Sequence, residues 1–191
     1  MSDTVATDRQ ARIDAICDAA IPVFATQGFR GTSMADLAAA AGMSRPALYQ
    51  YFENRADLFR VAFGALLESA TDAALEALAE PAGTGERLDG FLQRLSGDGY
   101  EQLAANLHGD ELMEAKHEFA QDVAAAAYER AHAGLRAFVA DTGAPAATAA
   151  EVLDLLTLSP FGLKSDRPTP ATYRVRLTSL ARAAEALLDD T

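Results

Sequence analysis

A single cysteine, Cys17, stands in this chain of 191 residues. One thiol closes no intramolecular disulfide and builds no cysteine cluster for a metal. Long apolar runs are absent as well, none approaching the roughly 18–20 residues a membrane span needs. The opening MSDTVATDRQAR is polar and lacks a hydrophobic signal core, so a cytoplasmic protein with no membrane partner is expected. Alternating β-branched or aromatic runs are also missing, which removes the strand signal. Alanine-rich segments of period 3.6 fill the chain instead, and the fold class is all-α. No phosphate loop and no nucleophile–base spacing stands out, so neither an enzyme nor a cofactor is expected.

The net charge of −12 argues at first against a nucleic-acid partner. Its distribution argues otherwise. Residues 1–60 carry six arginines against seven acids, whereas residues 61–191 carry ten basic residues against 21 acids. The first third is near neutral, and arginine, its only cation, suits bidentate contacts.

Helix starts are legible. Thr7–Gln10 reads as a capping box, predicting a first helix over about 8–27 that ends at Gly28 and is kinked by Pro22. Ser33–Asp36 is a second box, Ser44 a third cap with Pro46 in the first turn behind it, and Asn54–Asp57 a fourth, opening a helix over 55–79. Beyond the break at 81–85, helices are expected near 86–96, 100–107, 110–141, 146–158 and 170–189. Their breaks rest on Gly97/Gly99, Gly109, Gly143/Pro145 and the Ser159–Pro168 stretch.

Residues 33–50 thus hold two helices of about seven residues, joined at Ala41–Gly42–Met43. Helices so short are stable only when packed together, here through Leu37, Ala38, Met43 and Leu48 over Ile16 and Phe24. That is a helix-turn-helix pattern, whose second helix enters the DNA major groove. With Leu48 and Phe52 inward, Arg45, Pro46, Tyr49 and Gln50 lie outward. Arg45 can grip guanine O6/N7, and Pro46 and Ala47 can meet a thymine methyl. Tyr49 can lay its ring on sugar and donate to phosphate. Thr32, Ser33 and Arg55, at helix starts, can offer donors to phosphate. Arg30 and Arg60 fit either a solvated surface or DNA.

The stretch GFRGTSMADLAAAAGMSRPALYQYFENRADLF resembles the DNA-binding signature of the tetracycline-repressor (TetR) family of transcriptional regulators. The matching features are Gly28-Phe29, Thr32–Ser33, Asp36-Leu37-Ala38, Ala41-Gly42, Ser44, Leu48-Tyr49, Tyr51-Phe52 and Asn54 followed by a basic residue, within a likeness over about residues 9–60. The resemblance implies a homodimer with a helix-turn-helix DNA-binding domain over 1–55 and a ligand-binding and dimerisation domain over 56–191. It implies phosphate contacts at Thr32, Ser33, Tyr49, Tyr51 and Arg55, and base reading at Arg45, Pro46, Ala47 and Gln50. Tyr51 also fits packing against the fourth helix. Arg55 stands where the family has lysine, and Pro22 where the first helix is normally unbroken.

In the C-terminal two thirds, His108, Glu111, Glu114, His117 and Glu118 follow helical spacing. A metal site or metal enzyme using His108, Glu114 and His117 is the rival reading, against a ligand pocket or a solvated helix face. No metal is expected, because no second such motif faces it. Candidate pocket residues for an unidentified small-molecule effector are Tyr100, Leu103, Met113, His117, Tyr128 and Phe161, with Leu107, Phe119 and Phe138. Tyr173, Leu177, Leu180, Ala184 and Leu187 form a seam on the last helix, which Val152, Leu155, Leu156 and Leu158 can face. The resemblance implies that the last two helices build the dimer; packing within one chain is the alternative. The function expected is a ligand-responsive regulator, a repressor or, less simply, an activator, that binds a near-palindromic double-stranded DNA operator as a homodimer. A dimerisation module with an idle helix-turn-helix is the other rival.

Overall fold

The computed structural model describes residues 2–190, and side chains from residue 7 onward. The all-α expectation holds: the described residues contain no strand. The helices are α1 (Ser2–Gly31), α2 (Met34–Ala40), α3 (Arg45–Leu48), α4 (Arg55–Ala79), α5 (Thr84–Leu92), α6 (Asp98–Ala104), α7 (Gly109–Phe119), α8 (Gln121–Asp141), α9 (Ala146–Gly162) and α10 (Pro170–Asp189). A π-helical turn, Gln93–Gly97, joins α5 to α6. No described helix is long and apolar enough to cross a membrane.

The chain divides into two compact units, residues 1–68 with 105–125, and residues 69–104 with 126–191. The division falls inside α4 and α8, and α7 packs with α1. In the N-terminal unit, Ile16, Ala20 and Phe24 of α1, Leu37 and Ala38 of α2, Leu48 of α3, and Leu58, Phe59 and Ala62 of α4 are all buried, with α2 packed on α1 and α3. Phe24 and Phe29 each pack edge-on against Phe59 at 5.2 Å, and Phe119 of α7 stacks on Phe29 at 5.0 Å. Ring pairs of this geometry add about 0.5–1.5 kcal/mol each beyond their buried area. Cys17 is buried here, and desolvation pushes its thiol up to about 11, so it is not a reactive group.

The C-terminal unit packs α5, the π-turn, α9 and α10 around Phe91, Leu92, Leu135, Val139, Val152, Leu156, Tyr173 and Leu177. Tyr173 is fully buried and satisfies its hydroxyl on the Pro160 carbonyl at 3.0 Å.

Several boundaries differ from the sequence reading. Thr7 lies inside α1, not at its start, and the backbone stays helical through Pro22; the break comes at Gly28, with φ 73°. Gly97 and Gly99 do not stop the chain. Gly97 is buried where a Cβ would stand 2.8 Å from Gln93 Oε1 and 3.2 Å from Arg174 Nη1, so the helix passes as a π-turn. The expected 110–141 helix is interrupted at Ala120, with φ −131°. α9 runs on through the buried Pro160 to Gly162.

Leu48 is fully buried at the centre of the N-terminal unit. Leu48→Ala is expected to cost about 2–5 kcal/mol, read from urea unfolding followed by circular dichroism; a loss below about 1 kcal/mol would contradict this packing.

Candidate nucleic-acid interface

The turn between α2 and α3 is built from local chemistry. Ser33 Oγ accepts from the Asp36 amide at 3.2 Å while the Asp36 carboxylate accepts from the Ser33 amide at 2.9 Å. That pairing, chiefly the Ser33 hydroxyl, holds the Asp36 carboxyl below the usual carboxylate range. α2 ends in a Schellman motif: the Met43 amide donates to Ala38 at 2.9 Å and the Gly42 amide to Ala39 at 3.1 Å. Gly42 sits at φ 63°, which costs a residue with a Cβ. Ser44 Oγ accepts from the Ala47 amide at 3.3 Å, with Pro46 in the first turn of α3.

α3 is shorter than the seven residues expected, only four, and continues as turns through Tyr51. Leu48 and Phe52 point inward, and Arg45, Pro46, Tyr49 and Gln50 are exposed, with Ala47 half-buried between them. Arg45 lies along Tyr49, its Nη2 3.2 Å from the tyrosine Oη and its guanidinium 5.5 Å from the ring centroid. Arg9, which the sequence reading did not single out, places its guanidinium 5.7 Å from the Tyr51 ring centroid. Its signal was available in principle, as one of only six cations in the first third, but nothing local linked it to Tyr51. Two arginines thus sit on the two tyrosines of the recognition segment, a polar, cationic and aromatic surface of the kind that meets sugar, phosphate and base edges.

Three expected phosphate contacts are placed differently. Thr32 is buried, its hydroxyl donating to the Gly28 carbonyl at 2.6 Å, so that hydroxyl is not presented to a ligand. The Ser33 hydroxyl and amide are both engaged by Asp36. Arg55 is turned inward, donating to the carbonyls of Thr32 at 2.7 Å and Arg30 at 3.0 Å while its guanidinium lies 4.3 Å from the Phe29 ring centroid. It ties the end of α1 to the start of α4, a task for a planar donor fork. Arg30 pairs with Glu114 at 3.0 Å, and Arg60 pairs with Asp122, so neither is a bare surface cation.

Residues 16–62 match the family model for bacterial regulatory proteins, tetR family. Over these residues the chain is similar to the tetR family of bacterial regulatory proteins. An HTH-type transcriptional regulator of Bacillus subtilis strain 168, YezE, is 35% identical over 74 residues, 39% of this chain and 38% of that protein. The matches span less than two fifths of the length of the curated relatives. Among solved structures, a TetR-family transcriptional regulator from Streptomyces coelicolor aligns at a TM-score of 0.62 and 22% identity, over 95% of this chain and 88% of that one. The TetR-family repressor AlkX from Dietzia sp. strain DQ12-45-1b aligns at 0.60 and 21%, over 93% and 95%. These likenesses show that the fold extends through the C-terminal helices.

Within the N-terminal unit, α7 braces the end of α1. The Glu111 carboxylate accepts from the Arg30 amide, and a Cβ on Gly28 would stand 2.5 Å from Glu111 Oε2 and 2.9 Å from His108 Nδ1. The His108–Glu114–His117 cluster does not converge. His108 faces Glu111 at 3.6 Å, Glu114 pairs with Arg30, and His117 is exposed. Among the described residues no group of three or more His, Cys, Asp or Glu side chains could hold a metal.

The candidate pocket residues fall in both units. Met113 and His117 are exposed on α7, and Leu107 is fully exposed. In the C-terminal unit, the Tyr100 ring packs at a tilt of 52° against Tyr173, 4.6 Å between centroids, and its hydroxyl donates to the Pro168 carbonyl at 2.7 Å, while Leu103 is half-buried. Tyr128 meets Phe161 edge-on at 6.1 Å and His132 at 6.4 Å, and burial lowers the His132 pKa and raises that of Tyr128.

Arg55→Ala leaves two carbonyls at the α1–α2 junction without their donor. It is expected to destabilise the protein by about 1.5–3 kcal/mol, read by urea unfolding, and Arg55→Lys is expected to recover only part of this. Full recovery by lysine would contradict the two-carbonyl clamp.

Proposed function

We propose that this chain is a ligand-responsive transcriptional repressor that binds a near-palindromic operator as a homodimer and is released by a small molecule. The observation that carries the reading is the exposed set Arg45, Pro46, Tyr49 and Gln50 on a short helix anchored from below by Leu48. Arg45 reads guanine, Pro46 and Ala47 meet thymine methyls, and Gln50 reads adenine. Tyr49 and Tyr51 work against the sugar-phosphate backbone, with Arg9 as a further cation. Ser33 contributes only by exchanging its Asp36 partner, and Arg55 acts by holding the junction in place.

The dimer forms through α9 and α10, but of the seam expected only Leu187, with Leu158 of α9, is exposed. Tyr173, Leu177, Leu180 and Ala184 are already buried in their own unit. The available ridge is Val175, Ser179, Ala183 and Leu187, four residues apart and all exposed, with Leu158 of α9 exposed as well. An i, i+4 ridge of small and apolar side chains suits close helix packing, and a two-fold axis would make the contact self-complementary. Two recognition helices about 34–36 Å apart would then enter successive major grooves. An effector binding the C-terminal unit relieves repression if it favours a dimer with another spacing; equal affinity for both states would shift nothing.

The test is a fluorescence-anisotropy titration against DNA flanking the protein's own coding region, at two salt concentrations with competitor DNA. Saturable binding that resists competitor supports the regulator, and no binding at low salt overturns it. Arg45→Ala is expected to cost about 1–3 kcal/mol and to relax preference at one or two bases. Val175→Glu is expected to give monomers in sedimentation and to abolish operator binding while leaving the helical content unchanged. A dimer that persists in this variant would place the interface elsewhere.

A further inference from the structure

Tyr49 and Arg45 are a turn apart on the exposed side of the recognition segment, and neither is needed to hold it. Leu48, between them in sequence, supplies the anchor. Yet the two side chains are joined twice, by Arg45 Nη2 donating to Tyr49 Oη at 3.2 Å and by the guanidinium lying 5.5 Å from the ring centroid. An exposed arginine otherwise carries large rotamer freedom, which a base contact must freeze. Here that freedom is restricted before any ligand arrives.

The phenol oxygen has two acceptor lone pairs and one hydrogen. Accepting from Arg45 uses a lone pair and leaves the hydrogen to donate elsewhere. A phosphate oxygen is the partner that the exposed hydroxyl, at a tyrosine 44% accessible, would meet on DNA.

We infer that Tyr49 is a positioning residue for base readout: its hydroxyl holds the Arg45 guanidinium in orientation while donating to a backbone phosphate, so discrimination at the base pair read by Arg45 depends on Tyr49. This rests on the DNA-binding reading. A tyrosine that only touches phosphate would instead weaken every operator equally, since phosphate contacts carry no base information. The ring and the hydroxyl are separable, because phenylalanine keeps the surface under the guanidinium and removes the oxygen.

The experiment is a double-mutant cycle in the full-length protein. Wild type, Arg45→Ala, Tyr49→Phe and the double variant are titrated by anisotropy against an operator obtained by selection and against copies substituted at each base pair in turn. Circular dichroism melts establish that each variant is folded. Arg45→Ala marks the base pair at which substitution no longer matters. Tyr49→Phe is expected to reduce discrimination at that same pair about threefold or more, with little change at the others, and to cost at least about threefold less affinity in the Arg45→Ala background than in wild type. A Tyr49→Phe loss that is uniform across operators and multiplies independently with that of Arg45→Ala overturns the inference while leaving the DNA-binding reading intact. Failure of the wild type to enrich any DNA overturns both.

Discussion

A four-residue helix cannot hold itself in place, and the proposed DNA-facing surface depends on how α3 is fixed. Nucleation of so short a helix is unfavourable, and its stability comes from packing. Leu48, fully buried, is the side chain that fixes it from below. Ser44 satisfies its first free amide, and the Schellman turn at Gly42 sets the angle at which the chain enters it. Arg55 and α7 then hold the neighbouring junction, at the carbonyls of Arg30 and Thr32 and at the backbone of Gly28 and Arg30. Rigidity there would serve the proposed base reading, which needs its side chains held in fixed geometry.

The charge pattern acquires meaning from the same geometry. Of the six arginines in residues 1–60, Arg30 and Arg60 are neutralised by Glu114 and Asp122, and Arg55 is spent on carbonyls. Arg9 and Arg45 lie on Tyr51 and Tyr49. In the C-terminal unit, Arg174 meets Asp98 and Glu101, Arg176 meets Asp166, and Arg130 meets Asp72. Such exposed pairs add only about 0–1 kcal/mol each. The acidic excess lies in residues 61–191, ten basic residues against 21 acids, and in the proposed regulator it would weaken non-specific attraction to DNA.

What the sequence disclosed followed from how local each cause is. The caps at Ser33 and Ser44 act over three residues, and both were legible; α4 begins and ends where Asn54 and the 81–85 break indicated. The Asn54 box is half-formed: Asn54 Oδ1 accepts from the Asp57 amide, but Asp57 reaches back to Glu53. Causes that act across the fold stayed hidden. Nothing near Arg55 says that its guanidinium turns toward α1, nothing near Thr32 says that it is buried, and no glycine or proline marks the break at Ala120. The seam of α10 was a true helical stripe, but a period alone does not say whether it faces its own chain or a second copy.

We propose that the exposed face of α3 reads DNA sequence, and the decisive measurement is selection from a random double-stranded library with the purified full-length protein. The account predicts enrichment of one near-palindromic site, its half-sites about one helical turn apart, and loss of that enrichment at one base pair per half-site in Arg45→Ala. Recovery of no preferred sequence at low salt, or of the same site with unchanged base preferences in Arg45→Ala, would contradict it.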